Sequence, residues 1–279
     1  CTYCAIPLIR GGFRSRDMED VLSEIRSLAA QGVKEHVLIA QDTSRFGMDT
    51  HGRSLLPELM TRAADIPGVE WLRVLYTYPD EVDDALLEAM ASRPNICKYL
   101  DLPLQHIDND MLKSMNRRGT LAHIRSMLRG ARERGFCLRT TFIVGFPGET
   151  EDDFKQLMDF TEEMQFDRMG AFTFSPEEDT PAFDMPGQLP EEIKEERLEM
   201  LMALQAKISK ARNSLRIGKE EKMLVTGWQD GTYTARSQWE APDADGEILL
   251  LCNRELQPGT FVNGRIIAAD VYDLTAQAE

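Results

Sequence analysis

LRTTFIVGFPGETEDDFKQLMDF (Leu138–Phe160) places a strand, a tight turn and a helix in immediate succession. The run from Leu138 to Val144 is β-branched and apolar along most of its length, as expected of a strand covered on both faces. Gly145, Pro147 and Gly148 interrupt it, which marks a turn. Thr150 followed by Asp153 is a capping-box pattern that opens a helix. Phe154, Leu157, Met158 and Phe160 then fall on one helical face.

The same alternation extends on either side. Further apolar runs are HVLIAQD (His36–Asp42), WLRVLYTYP (Trp71–Pro79), ICKYLDLPLQH (Ile96–His106) and RMGAFTFSP (Arg168–Pro176). Helical periodicity separates them, with Met18, Val21, Leu22, Ile25 and Leu28 sharing one face. Strands alternating with helices define parallel βαβ units. Five such strands, with a sixth expected upstream of the cysteine-rich opening, fit a full or partial β/α barrel better than a doubly wound sheet.

EEDTPAFDMPGQLP (Glu177–Pro190) reads as a loop, and the segment from Glu191 to Arg212 as a long helix. Its acids lie early and its bases late, as the helix dipole favours. Its stripe of Ile193, Leu198, Leu201, Leu204 and Ile208 is expected to pack on the barrel. After Gly218 short β-rich runs separated by Gly, Asp and Pro indicate a five-stranded barrel of OB-like size. The expected organisation is therefore residues 1–190 as an α/β barrel, 191–215 as a connecting helix and 216–279 as a small all-β barrel. Trp228 and Trp239 are read as barrel packing, with a stacking platform for a base or peptide as the alternative.

The chain has 279 residues, 42% hydrophobic and 28% charged, with a net charge of −15. Such acidity opposes general nucleic-acid binding, whose affinity comes from Lys and Arg against phosphates. Five scattered cysteines argue against a disulfide framework and for a reducing cytoplasm. No apolar run is long enough to span a bilayer.

The opening CTYCAIPLIRGGFRSR (Cys1–Arg16) carries a Cys-x-x-Cys pair. A zinc site needs a second ligand pair at finger or ribbon spacing, and His36, His51, His106 and His123 lie far apart. A thioredoxin-type pair should follow a strand and open a helix, whereas AIPLIRGG reads as a loop. The third reading is an iron–sulfur ligand loop shielded by the aromatic at position 3. The pair alone does not decide among them.

Cys1-x-aromatic-Cys4 resembles the second half of the radical S-adenosylmethionine (SAM) loop, Cys-x-x-x-Cys-x-aromatic-Cys. LIAQDTSRFG, LYTYPDEV, YLDLPLQHIDNDMLKSMNRRG, RTTFIVGFPGETEDDF and FDRMGAFTFSPEEDTPA are similar to blocks of the methylthiotransferase branch of that superfamily. The C-terminal segment resembles its accessory TRAM barrel. The resemblance implies a partial (β/α) radical SAM barrel, with its first strand upstream, followed by a TRAM domain. It implies a [4Fe–4S] cluster on Cys1, Cys4 and a third cysteine four residues before Cys1. A second [4Fe–4S] cluster is implied in an upstream domain, so that this chain alone would not complete the reaction.

By the same resemblance Tyr3 packs over the cluster. Gln41 and Asp42, taken to end the first visible strand, stand where many relatives carry Gly-Gly-Glu and contact the SAM amino group; a turn role for Asp42 is the alternative. TFIVGFPGE resembles the adenine-contacting Gly-x-Ile-x-Gly-x-x-Glu strand, with Ile143 and Gly145 in register, Thr141 in place of the first Gly and Glu149 one position late. Glu149 equally suits the start of a helix. Gln105 and Arg139 are further SAM-binding candidates, with a structural hydrogen bond and a salt bridge as alternatives. Cys97, Cys137 and Cys252 are read as small core residues.

Within the branch, AIPLIRG, AQDTSRFG, LDLPLQH and SPEEDTPA resemble the enzymes that methylthiolate an aspartate of the twelfth small-subunit ribosomal protein. From Ile217 onward five basic residues stand against eleven acidic ones, a balance of 5 − 11 = −6. An acidic surface suits a basic ribosomal protein better than tRNA phosphates. The implied partners are that protein and an electron donor, with no membrane and no direct tRNA contact. The rival readings are a tRNA adenosine methylthiotransferase and a non-catalytic metal- or RNA-binding module.

Overall fold

A computed structural model describes all 279 residues. In chain order the first part contains α1 (Ile6–Arg10), α2 (Met18–Ala30), β1 (Glu35–Leu38), α3 (Met48–His51), α4 (Leu56–Ala64) and β2 (Trp71–Val74). There follow α5 (Asp84–Ala91), β3 (Tyr99–Gln105), α6 (Asn109–Ser114), α7 (Leu121–Glu133), β4 (Cys137–Val144), α8 (Glu151–Met164) and β5 (Arg168–Thr173). Then α9 (Glu191–Ser214) leads to β6 (Glu220–Gln229), β7 (Thr232–Ser237), β8 (Ile248–Leu251), β9 (Phe261–Ala269) and β10 (Leu274–Ala278).

β1 pairs in parallel with β2, and β3, β4 and β5 form a second parallel sheet. A parallel bridge between Leu72 and Ile96 joins the two sheets. The strands therefore form an open arc, the partial barrel that the alternation implies. The capping box at Thr150 and Asp153 is present and starts α8. Along β4 the side chains divide by parity. Thr140, Phe142 and Val144 are fully buried, with Phe142 edge-on to Phe166 at 5.9 Å between centroids. Arg139, Thr141 and Ile143 are half-buried on the other face.

Three local expectations need correction. The stretch after Cys4 is not all loop: Ile6–Arg10 is helical, with Pro7 in its first turn and Gly11 at φ 78° ending it. Proline suits a first turn because its missing N–H has no intrahelical partner there in any case. The apolar runs also overshoot their strands, since β1 stops at Leu38 and β2 at Val74, before the chain turns through Tyr76 at φ 59°. Finally, the buried face of α9 is Lys194, Arg197, Leu201, Gln205, Ile208, Ser209 and Asn213, more polar than the expected stripe. This helix crosses carbonyl-lined turns and supplies their donors. Lys194 Nζ donates to the Phe174 carbonyl at 2.9 Å and Gln205 Nε2 to that of Phe166 at 2.9 Å.

The last five strands close in the order β10-β8-β7-β6-β9. Met223, Val225, Ala235, Ile248, Leu250 and Ile266 fill this small barrel. Trp228 does not: it is 60% exposed, its ring set at 73° to that of Tyr233 with 4.5 Å between centroids. The small barrel sits against the strand starts of the arc. Trp71, Cys97, Tyr99 and Cys137 pack there with Leu224 and Ala241, and Trp71 meets Phe261 at 4.8 Å. Burial pushes the Cys97 thiol up to about 11 and that of Cys137 upward as well, as suits small core residues. Cys252 is half-buried and packs against the small barrel's own core.

Ion pairs tie the same junction. Glu35 accepts from Arg73 at 2.9 Å and from Arg236 at 2.7 Å. Glu240 accepts from Arg168 at 2.8 Å, from Arg216, and from the Ser237 hydroxyl at 2.7 Å. Burial would raise the Glu240 carboxyl, but Arg216 and Arg168 hold it well below its ordinary value of 4.5. Glu240→Gln, which leaves two buried arginines short of a counter-charge, is expected to cost about 3–5 kcal/mol in denaturant unfolding. Because the folded-state pKa is depressed, this stabilisation is complete above the unfolded value and is lost as pH falls through the folded one. The stability gap between wild type and Glu240→Gln should therefore begin to narrow near about pH 5 and go on narrowing below about pH 3.

Candidate functional site

At the C-terminal ends of β3, β4 and β5 lies a cavity of about 350 Å³, walled by Tyr3, Tyr76, Gln105, Arg139, Ile143 and Phe172, among others. Its position follows from the strand register: the inward face of β4 carries Arg139, Thr141 and Ile143 up to the rim. A larger, more apolar cavity of about 460 Å³ lies between α2 and β1. Neither cysteine nor Tyr3 lines it, and Asp42 does.

The opening residues are held at the first cavity's edge. Thr2 donates its amide to the Met115 carbonyl at 3.1 Å and its hydroxyl to that of Ser114 at 2.8 Å. Its own carbonyl accepts from the Ala182 amide at 2.9 Å. Tyr3 stands edge-on to Phe146 at 6.2 Å, and burial pushes its hydroxyl up to about 12. The Cys1 and Cys4 thiols are free and half-buried. Cys1 Sγ lies 3.8 Å from the Tyr78 hydroxyl and 3.8 Å from Arg117 Nη1. Arg117, itself buried, stacks over the Tyr78 ring at 4.4 Å and donates to the Pro103 carbonyl. No group of three His, Cys, Asp or Glu side chains is placed to hold a metal ion by itself. The donors present, two free thiols on a Cys-x-x-Cys turn beside an aromatic ring, fit two ligands of an iron–sulfur cluster.

Gln105 closes β3 in a left-handed conformation at φ 71°, and its buried Oε1 has no hydrogen-bond partner. An unpaired buried acceptor in a cavity wall fits a ligand that brings a donor. Arg139 Nη1 donates to Asp101 Oδ1 at 2.7 Å, and Arg139 Nε lies 3.7 Å from Asp245 Oδ1. The salt-bridge alternative for Arg139 is thus present, and the side chain lines the cavity as well.

The structure brings together Tyr3, Gln105, Arg139 and Ile143, and leaves the other four SAM-binding candidates outside. Gly145 is absent from the cavity wall. It has φ 73°, and a Cβ there would stand 2.2 Å from Lys194 Cγ, so the missing side chain makes room for α9. Gln41 is exposed and, with Asp42, lies beyond the end of β1 rather than at it. Asp42 accepts from the Ser44 hydroxyl at 2.5 Å, and burial raises its carboxyl; this is the turn role. Glu149 is also structural. It accepts from the Gly145 amide at 2.9 Å and from Arg197 at 2.6 Å, and faces His106 Nε2 at 3.6 Å.

Residue patterns pass over several cavity neighbours. Asp101 carries a faint signal, a single charge inside the apolar run YLDLPL. Arg117, Tyr76 and Tyr78 carry none, because loops of no fixed period place them.

Residues 1–161 match the Radical SAM superfamily and residues 217–278 match the TRAM domain. The chain belongs to the radical SAM superfamily. It is 48% identical to the ribosomal protein uS12 methylthiotransferase RimO of Desulforamulus reducens, in an alignment covering 99% of this chain and 64% of that protein. The RimO protein of Pelotomaculum thermopropionicum gives the same 48%, 99% and 64%. The chain thus spans somewhat less than two thirds of the length of these relatives. The radical SAM methyltransferase TsrM of Kitasatospora setae, solved with cobalamin and a [4Fe–4S] cluster, superposes with a TM-score of 0.50 at 20% identity. That superposition covers 60% of this chain and 33% of TsrM, and shows a shared fold. The expected architecture, a partial radical SAM barrel followed by a TRAM barrel, therefore holds.

Gly145→Ala is expected to act on stability. Both the positive φ and the Lys194 contact oppose a methyl group, and about 1–3 kcal/mol should be lost in denaturant unfolding. The iron content of protein that remains folded should not change.

Proposed function

We propose that this chain forms the SAM-cleaving part of a methylthiotransferase that acts on ribosomal protein uS12, adding a methylthio group to the β-carbon of an aspartate. The observation that carries this reading is the 48% identity to uS12 methylthiotransferases across 99% of the chain, both barrels included. Residues 1–190 are assigned to the radical SAM barrel, 191–215 to the connecting helix and 216–279 to the TRAM domain.

Cys1 and Cys4 are assigned as two ligands of the [4Fe–4S] cluster, with Tyr3 excluding water at its side. The cluster, when bound, supplies the electron that cleaves SAM and so starts hydrogen removal from an unactivated carbon. Arg117 can donate to the Cys1 sulfur, and hydrogen bonds to ligating sulfurs are a lever on cluster potential. SAM is assigned to the cavity at the strand ends. There Ile143 and Tyr3 offer apolar wall, Gln105 an unpaired acceptor, and Arg139 a charged donor suited to a carboxylate. Gln41, Asp42 and Gly145 are not assigned to it. The second [4Fe–4S] cluster belongs to the part of the protein that the longer relatives possess beyond this alignment. An external electron donor is part of the same reading.

The small barrel's charge of −6 supports docking of a basic ribosomal protein over tRNA. Glu240 and Asp245 lie inside the junction, but Asp230, Asp243, Glu247, Glu255 and Asp273 remain exposed. No helix is long and apolar enough to cross a membrane, and the cytoplasm, where ribosomal proteins are met, is the proposed compartment.

The test uses the complete protein, reconstituted anaerobically with iron and sulfide and given SAM, a reductant and a sulfur source. uS12 and tRNA are offered separately. Mass spectrometry should find a methylthio group on an aspartate of uS12, whereas modification of tRNA alone would overturn the assignment. Cys1→Ala and Cys4→Ala should each abolish product and lower iron content.

A further inference from the structure

We propose that Asp245, a residue of the small barrel, is a positioning residue that aims Arg139 into the cavity, so that the TRAM domain sets the cavity's affinity for SAM from the opposite end of the strands. This rests on the assignment of that cavity to SAM.

Asp101 and Arg139 are register partners on β3 and β4, and both face the interior of the arc. Asp101 is fully buried and divides its oxygens. Oδ1 accepts from Arg139 Nη1 at 2.7 Å, and Oδ2 from the Tyr76 amide at 2.9 Å. One oxygen is thus all that Asp101 offers the guanidinium, and a single contact does not fix the plane of a fork with five donors.

The second constraint comes from the turn between β7 and β8. Asp245 also divides its oxygens. Oδ2 accepts from the Tyr99 hydroxyl at 2.6 Å and from the Ala241 amide at 2.8 Å, which anchors the turn to β3. Oδ1 is left facing Arg139 Nε at 3.7 Å. The guanidinium is thereby held along its Nη1 and Nε edges by carboxylates from two domains. Its Nη2 has no protein acceptor and is the donor left for a ligand in the cavity.

This division of labour allows a clean substitution. In Asp245→Asn the amide oxygen can take the place of Oδ2 and keep the Tyr99 and Ala241 bonds, while the amide NH2 then faces Arg139 and repels it. Tyr99→Phe does the reverse, loosening the turn while leaving the Asp245 charge in place.

The experiment measures SAM binding by equilibrium dialysis to the complete, cluster-loaded protein, alongside its melting temperature and iron content. Asp245→Asn should weaken SAM binding about tenfold with iron content unchanged. Tyr99→Phe should lower the melting temperature and leave SAM affinity within about twofold. Arg139→Gln should weaken binding, and adding Asp245→Asn to it should weaken binding no further. If Asp245→Asn binds SAM like wild type while Arg139→Gln does not, the positioning role is overturned and the cavity assignment stands. Weakening by Tyr99→Phe equal to that by Asp245→Asn also overturns it, since turn anchoring alone would then account for the effect. If Arg139→Gln binds normally, the cavity assignment itself falls.

Discussion

Three arginines on the strands of the arc, Arg73, Arg139 and Arg168, lie close to the small barrel, and a buried guanidinium must find an anion. Glu35 and Asp101 from the arc provide part of the compensation, and Glu240 and Asp245 from the small barrel provide the rest. Leaving one such charge unpaired costs several kcal/mol, more than an average contact contributes. The two barrels are thus a single electrostatic unit. The apolar cluster of Trp71, Tyr99, Leu224 and Ala241 packs at the same junction. The small barrel's acidic composition consequently has two meanings: some of its carboxylates neutralise the arc, and the others face solvent.

A single strand, β4, separates two kinds of chemistry. Its even-numbered side chains lie in the helix-covered core, whereas Arg139, Thr141 and Ile143 line the cavity. Arg139 could not sit one position away without placing its charge among Phe142, Phe160 and Phe166. Strand parity, rather than any property of Arg139 alone, puts a cation in the cavity wall.

Features set by local chemistry were readable from the residues. The five apolar runs, the Thr150–Asp153 capping box and the short β runs of the closed barrel follow from patterns within a few positions. Features set by distant partners were not. Gln41 and Asp42 belong to an apolar run, but the ladder ends at Leu38 and leaves them in a turn. Gly145 fits a ligand-contacting pattern, yet the atoms that forbid a side chain there belong to Lys194, far along the chain. The expected stripe on α9 counted apolar residues, whereas this helix meets open carbonyls and buries Lys194, Arg197 and Gln205 to satisfy them. Arg117 reaches Cys1 across more than a hundred residues, from a loop without periodicity.

The five-stranded arc is not uniformly bonded. Between β2 and β3 the ladder shrinks to the bridge at Leu72 and Ile96, and beyond it the strands diverge. Asp101 spans the gap: its carbonyl accepts from the Thr77 amide at 3.0 Å and hydroxyl at 2.7 Å, while its carboxylate takes the Tyr76 amide. One residue therefore acts as the clasp of a lateral seam and also grips Arg139. Parting β1 and β2 from the other three strands breaks fewer ladder bonds here than at either neighbouring junction. Any such parting must strain the clasp, so the shape of the barrel wall and the aim of its inward cation are mechanically linked.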